Sequence, residues 1–137
     1  MADILFVCVH NAGRSQMAKA LFNQSAKARG LQFKADSAGT EPSNHIHEQV
    51  VEVMREAGID LSRARPKVLT DELVNRARRI IIMGCAVDAD ACPAVLLKRV
   101  EDWELPDPRG KSLAEVRAIR DEIGDRVAQL LDDLQKQ

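Results

Sequence analysis

The stretch from Ala2 to Arg29 constrains this chain more than any other, because it passes from an apolar run through a short polar loop to an amphipathic segment. ADILFVC is an apolar run that reads as a buried strand; Phe6 and Val7 end it, and Cys8 sits where strand gives way to loop. A short polar loop follows. Arg14 and Ser15 then open a helix whose apolar positions Met17, Ala18, Leu21 and Phe22 recur at helical spacing. A strand feeding a loop that ends at a helix N-terminus leaves unpaired backbone N–H groups and the positive end of the helix dipole pointing at one place, which favours an anion.

Cys8 faces that place. The field that holds an oxyanion also stabilises a thiolate, so a cysteine here is expected to be reactive at neutral pH. Arg14 adds a fixed fork of donors able to take two oxygens of a tetrahedral anion at once. Asn11 and Gly13 tolerate the backbone angles that turn successive N–H groups inward, and Ser15 is placed to donate a hydrogen bond to the thiolate. The expected anion-binding set is therefore the loop itself: Val9, His10, Asn11, Ala12, Gly13, Arg14 and Ser15. His10 is expected to contribute its backbone and to turn its ring to solvent. A bare Cys-x5-Arg spacing is weak evidence; flanked by a buried strand, loop formers and a helix it is strong.

Further along, strands alternate with amphipathic helices, which predicts an open α/β fold: a mainly parallel four-stranded sheet flanked by helices on both faces. Gly30 closes the first helix and LQFKADSAG reads as a second strand. Ile46, Val50, Val53 and Met54 mark a helix from Ile46 to Ala57, ended by Gly58. His45 and His47 flank Ile46, without the partners a metal site needs, and are read as solvent-facing residues at a helix start. Arg63 to Lys67 is a basic connector. Thr70 followed by Asp71 and Glu72 predicts a capped short helix through about Arg78, and RIIIMG a buried strand ending at Gly84 and Cys85. Ligands gather at the carboxyl ends of strands in such sheets, so Cys8 and Cys85 are expected to share an edge.

AVDADACP carries the chain from Cys85 to Cys92. As one regular helix it would hold the two Cα atoms roughly 10.5 Å apart, beyond the ~7 Å a disulfide tolerates. Pairing them requires the segment to unwind or loop, which its Asp-rich composition permits. Two buried thiols and half of a zinc site are the alternatives, and the zinc site lacks further ligands nearby. VLLKRVEDW reads as the last strand, leading to Asp107 between Pro106 and Pro108, a stiff mount for a carboxyl group. It is a turn former or a general acid whose protonated form burial would favour. Ser112 caps a long final helix with Leu113, Val116, Ile119, Ile123, Val127, Leu130, Leu131 and Leu134 on its apolar face.

At 137 residues the chain is the length of one domain, and 1–137 is read as a single unit. A formal net charge of −1 gives no reason to expect a nucleic-acid or membrane partner. With no membrane-length apolar run, no leader-like start and an odd number of cysteines, a cytoplasmic, reducing setting is expected.

The loop CVHNAGRSQMA, with DSAGT, MGCAVDADACP, DWELPDPRG and VRAIRDEI, resembles the thioredoxin-coupled arsenate reductases of the low-molecular-weight protein tyrosine phosphatase fold, over nearly the whole chain. The resemblance implies arsenic detoxification by a monomer without a cofactor. Cys8 attacks arsenic, Arg14 and the loop N–H groups hold the oxyanion, and Asp107 protonates the departing oxygen. Cys85 then attacks the Cys8 sulfur, Cys92 resolves Cys85, and thioredoxin reduces the final disulfide. Phosphate and sulfate are expected to compete with arsenate.

Where some members of that family place carboxylates for a potassium ion, Lys19 and Lys67 stand here, so no bound metal is expected. Two other enzymes fit the same loop: a low-molecular-weight phosphatase, disfavoured by the absence of Tyr and a single Trp to wall a phosphotyrosine ring, and an arsenate reductase served by a small thiol. A non-catalytic oxyanion-binding or redox-sensing module would leave the Asp107 loop without a role.

Overall fold

The computed structural model describes residues 3–83 and 100–136. Cys85, Cys92 and the segment joining them lie outside the described residues, as does the first part of the expected last strand.

Four parallel strands, β1 (Ile4–Cys8), β2 (Ala35–Gly39), β3 (Arg79–Ile82) and β4 (Val100–Asp102), form one sheet in the order β2-β1-β3-β4. The helices are α1 (Arg14–Ala28), α2 (Glu48–Glu56), α3 (Asp71–Arg76) and α4 (Leu113–Gln135). β1 lies between β2 and β3 with helices over both faces, and its five residues are all buried. Their side chains alternate between two cores. Ile4, Phe6 and Cys8 pack with Met17 and Phe22 of α1, Val50 and Met54 of α2, and Ile123 and Leu131 of α4. Leu5 and Val7 pack with Ala38, Ile80 and Val74 of α3. Helices therefore cover both faces, as the alternation of periods predicts.

The strand order fixes where a ligand can bind. From β1 the chain first steps to one side, to β2, and then to the other, to β3, so the connections diverge at the carboxyl end of β1 and open a crevice there. Cys8 is the last residue of β1.

Several boundaries differ from expectation for identifiable reasons. β2 begins only at Ala35, because Ile4 is its first partner and the Lys34 carbonyl accepts from the N–H groups of Asp3 and Ile4. The second helix starts at Glu48, since Ile46 is buried ahead of it and the His47 N–H is given to the Ala12 carbonyl. α3 stops at Arg76, as Arg78 and Arg79 both donate to the Asp3 carbonyl. Thr70 caps α3 through Leu73 N–H, and Ser112 with Glu115 forms a reciprocal capping box on α4, each contributing about 1 kcal/mol. Leu113, assigned to the apolar face of α4, stands exposed at its first turn.

Trp103, directly after β4, packs its ring 5.5 Å from that of Phe6 and under the Arg126 guanidinium. With Leu105 also buried, the chain leading to Asp107 is anchored into the main core.

Candidate active site

The loop from Cys8 to Gly13 spends its carbonyls on the outside. Cys8 O accepts from Thr40 N, Val9 O from Glu41 N, His10 O from Ser43 N, Ala12 O from His47 N and Gly13 O from Met17 N, at 2.8–3.3 Å. The Asn11 carbonyl takes Gln16 Nε2 at 3.1 Å. A backbone with its acceptors turned outward presents its donors inward, and the Asn11 N–H does so, reaching Cys8 Sγ at 3.2 Å.

Gly39 makes this winding possible. A Cβ there would stand 2.7 Å from the Val9 carbonyl and 3.0 Å from Asn11, so only glycine lets the end of β2 approach the loop. Gly13 has the same function on the other side: a Cβ would lie 2.6 Å from Pro108 Cγ, which is how the Asp107 loop comes to rest against the anion loop.

Asn11, fully buried and at φ 50°, is the hub. Its Oδ1 accepts from Gln16 Nε2 and from the Lys67 N–H, both at 2.9 Å. Those two donors fix which end of the amide is oxygen, so Nδ2 donates to Ser15 Oγ at 2.7 Å. The Ser15 oxygen is thereby occupied, and its hydrogen is left to point at Cys8 Sγ, 2.8 Å away. Cys8 itself is 2% exposed. The arrangement delivers two donors, one backbone and one hydroxyl, to a single sulfur.

Arg14 opens α1 and is 7% exposed; its guanidinium donates to the Leu105 carbonyl at 2.9 Å, tying the anion loop to the chain that carries Asp107. The carboxyl of Asp107 is exposed, accepting from Arg109 N–H at 3.0 Å, so the expectation that burial favours its protonated form is corrected. The stiffness expected of its mount is present in another form: Pro108 is buried against Gly13, and Leu105 is buried in the core. His10 holds its ring at the surface, with Nδ1 donating to the Glu41 carbonyl. His47 departs from the solvent-facing reading. It is half-buried, and burial pushes its imidazole below the ordinary histidine value, against the opposing pull of the Asp107 carboxylate.

Lys19 and Lys67 both pair with Asp36 of β2. Burial alone would raise that carboxyl; hydrogen bonds from Lys67 and the Ser37 N–H, with the two ammonium charges, hold it below the usual range instead. Among the described residues no cluster of His, Cys, Asp and Glu is arranged to hold a metal, and no helix is long and apolar enough to cross a membrane.

Two residues that support the site escape sequence reasoning. Gln16 is a polar residue on the inner face of α1, and nothing in its spacing shows that it clamps Asn11. Gly39 had a signal, a strand ending in the small residues Ser37, Ala38 and Gly39, which reads as a place where backbone must approach closely.

Known proteins bear out this architecture. The chain is 40% identical over 133 residues to a putative arsenate reductase of Halobacterium salinarum, covering 93% of this chain and 89% of that protein. It superposes on a thioredoxin-dependent arsenate reductase of Corynebacterium glutamicum with TM-score 0.78 and 38% identity, covering 98% of this chain and 62% of the other. It also superposes on a low molecular weight protein tyrosine phosphatase from T. tengcongensis with TM-score 0.87 and 26% identity, covering 97% and 99%. Relatives of both kinds keep this fold, and the model of the low molecular weight phosphotyrosine protein phosphatases matches residues 3–137, so the chain belongs to that family.

Proposed function

We propose that the protein reduces arsenate to arsenite through Cys8, Cys85 and Cys92, with thioredoxin as the final reductant. The observation that carries this reading is the Cys8 sulfur held by Ser15 and the Asn11 N–H at the mouth of the anion loop, in a chain that carries two further cysteines. The similarity to proteins described as arsenate reductases, one of them thioredoxin-dependent, supports the choice of substrate and reductant.

The Cys8 thiolate attacks arsenic while Arg14 and the loop N–H groups, from Val9 to Ser15, neutralise the oxyanion. An S–As bond forms and one oxygen leaves as water, taking its proton from Asp107. Cys85 then attacks the Cys8 sulfur. The S–S bond forms, the S–As bond breaks, and its electron pair stays on arsenic, which leaves as arsenite. Cys92 attacks Cys85, freeing Cys8, and a thioredoxin dithiol reduces the Cys85–Cys92 disulfide.

A phosphatase reading needs only Cys8, Arg14 and Asp107, and the likeness to phosphatase structures supports it. The two separate in one assay: NADPH consumption with arsenate, thioredoxin and thioredoxin reductase, for the native protein and for Cys8→Ser, Cys85→Ser and Cys92→Ser. The relay requires turnover that each substitution abolishes. Turnover surviving Cys92→Ser shifts the reductant to a small thiol. Phosphoester hydrolysis needing Cys8 alone, without arsenate turnover, assigns a phosphatase.

A further inference from the structure

His47 lies where the two loops of the site meet. Its N–H donates to the Ala12 carbonyl at 3.0 Å, on the outer side of the anion loop. Its ring edge, at Cδ2, stands 3.5 Å from the point a Gly13 Cβ would occupy, and Pro108 Cγ stands 2.6 Å from that same point. Ring and proline thus share the bare flank of Gly13. Pro108 is buried there, while the next residue back, Asp107, is exposed.

We propose that His47 is a positioning residue for the acid loop: seated beside Pro108 against Gly13, its ring sets how the segment carrying Asp107 rests against the loop that carries Cys8. The proposal rests on the reading of Asp107 as the general acid. The charged groups facing the ring are Asp107 and Arg109 on the acid loop, His10 on the anion loop and His45 on its own segment. His47 is also the N-cap of α2, whose dipole opposes a positive charge there. Among the described residues, burial, Arg109, His10 and His45 work against protonation and Asp107 favours it. When the ring does gain a proton, the Asp107 carboxylate attracts it. The Asp107 carboxylate is then drawn toward His47, away from the departing oxygen.

The first test is NMR titration of the three histidines in the native protein and in Asp107→Asn, assigned by through-bond correlation. The His47 midpoint is expected below that of a free histidine in the native protein and lower again in Asp107→Asn. An unchanged midpoint overturns the contact. This arm needs no turnover and no His47 variant.

The second test is the pH profile of arsenate turnover. His47→Asn keeps a small polar side chain and the backbone N–H to Ala12, so KM should stay within about twofold of native while kcat falls about 10-fold, part of what a general acid supplies. The acidic limb of the native kcat profile should move in His47→Asn. In the double variant with Asp107→Asn the loss should not exceed that of Asp107→Asn alone. Multiplying losses, or an unmoved acidic limb, overturn the positioning role. Should Asp107→Asn itself turn over like the native protein, the reading of Asp107 fails and not the contact seen by NMR.

Discussion

Replacing Asn11 by Ala tests whether the anion loop is held from behind by one amide. The substitution deletes three contacts at once: the Oδ1 bonds from Gln16 and the Lys67 N–H and the Nδ2 bond to Ser15. At about 1 kcal/mol each they amount to ~3 kcal/mol. Alanine at φ 50° adds about 1 kcal/mol, since it lacks the short polar side chain that lets Asn enter the left-handed region. A loss of ~4 kcal/mol leaves a folded protein within the usual margin of stability and lowers the melting temperature by about 14 °C for a chain of this length.

Urea unfolding followed by circular dichroism measures the loss as a lower midpoint at constant slope. Asn11→Gly removes the same contacts without the left-handed penalty and should recover about 1 kcal/mol. The two variants together separate hydrogen bonding from conformation. A loss below about 1 kcal/mol for Asn11→Ala would refute the account, because the part-buried Lys67 N–H would then have found another partner at no cost.

Ser15→Ala removes the hydroxyl donor to Cys8 Sγ without touching the loop backbone, and a hydrogen bond to a charged group of about 1.5–3 kcal/mol predicts a 10- to 100-fold slower alkylation by iodoacetamide at neutral pH. Gly39→Ala sets a methyl group against the Val9 carbonyl, a backbone atom with nowhere to move, and should cost about 1–3 kcal/mol in the same urea assay; an unchanged midpoint would show that β2 can back away from the loop. The Asp36 carboxyl titrates lower in the folded protein than in the unfolded chain, so its contribution to stability is present above the ordinary carboxylate value and is lost as pH falls through the folded one. Asp36→Asn should flatten that acid-side decline and leave Lys19 and Lys67 unneutralised at all pH values. With those two ammonium groups on Asp36, turnover is expected to be the same in potassium and sodium chloride, and a potassium requirement would contradict it.

What the sequence made legible were features whose physics is local. A short continuous apolar run giving way to a period of 3.6 located β1, the loop and α1, and placed Cys8 and Arg14 at the facing ends of strand and helix. The chain order of strands and helices was enough for a parallel sheet. Illegible were the contacts made across long stretches of chain: Lys67 N–H on Asn11, 56 residues away, and Arg14 on the Leu105 carbonyl, 91 residues away. Backbone groups carry no side-chain signature, so a lysine whose N–H matters looks like any surface lysine. His47 misled for the same reason. Its residue type and spacing fit a solvent-facing helix start, and only the packing of Pro108 on Gly13 draws it into the site.

The division of labour in the site has a consequence for which substrate the protein turns over. On the proposed function, the groups around Cys8 Sγ would recognise a tetrahedral oxyanion by shape and charge, and arsenate and phosphate are alike in both. On that reading selection comes from a later step, since the loop would offer either anion the same donors. Phosphorus offers no accessible lower oxidation state to an attacking thiol, whereas a thiol striking the Cys8 sulfur can leave its electron pair on arsenic. Phosphate is then expected to compete with arsenate for binding without being reduced. Adding phosphate should raise the apparent KM for arsenate and leave kcat unchanged; a phosphate effect on kcat alone would mean that the anion binds elsewhere than at the loop, and the assignment of Val9 to Ser15 would fall with it.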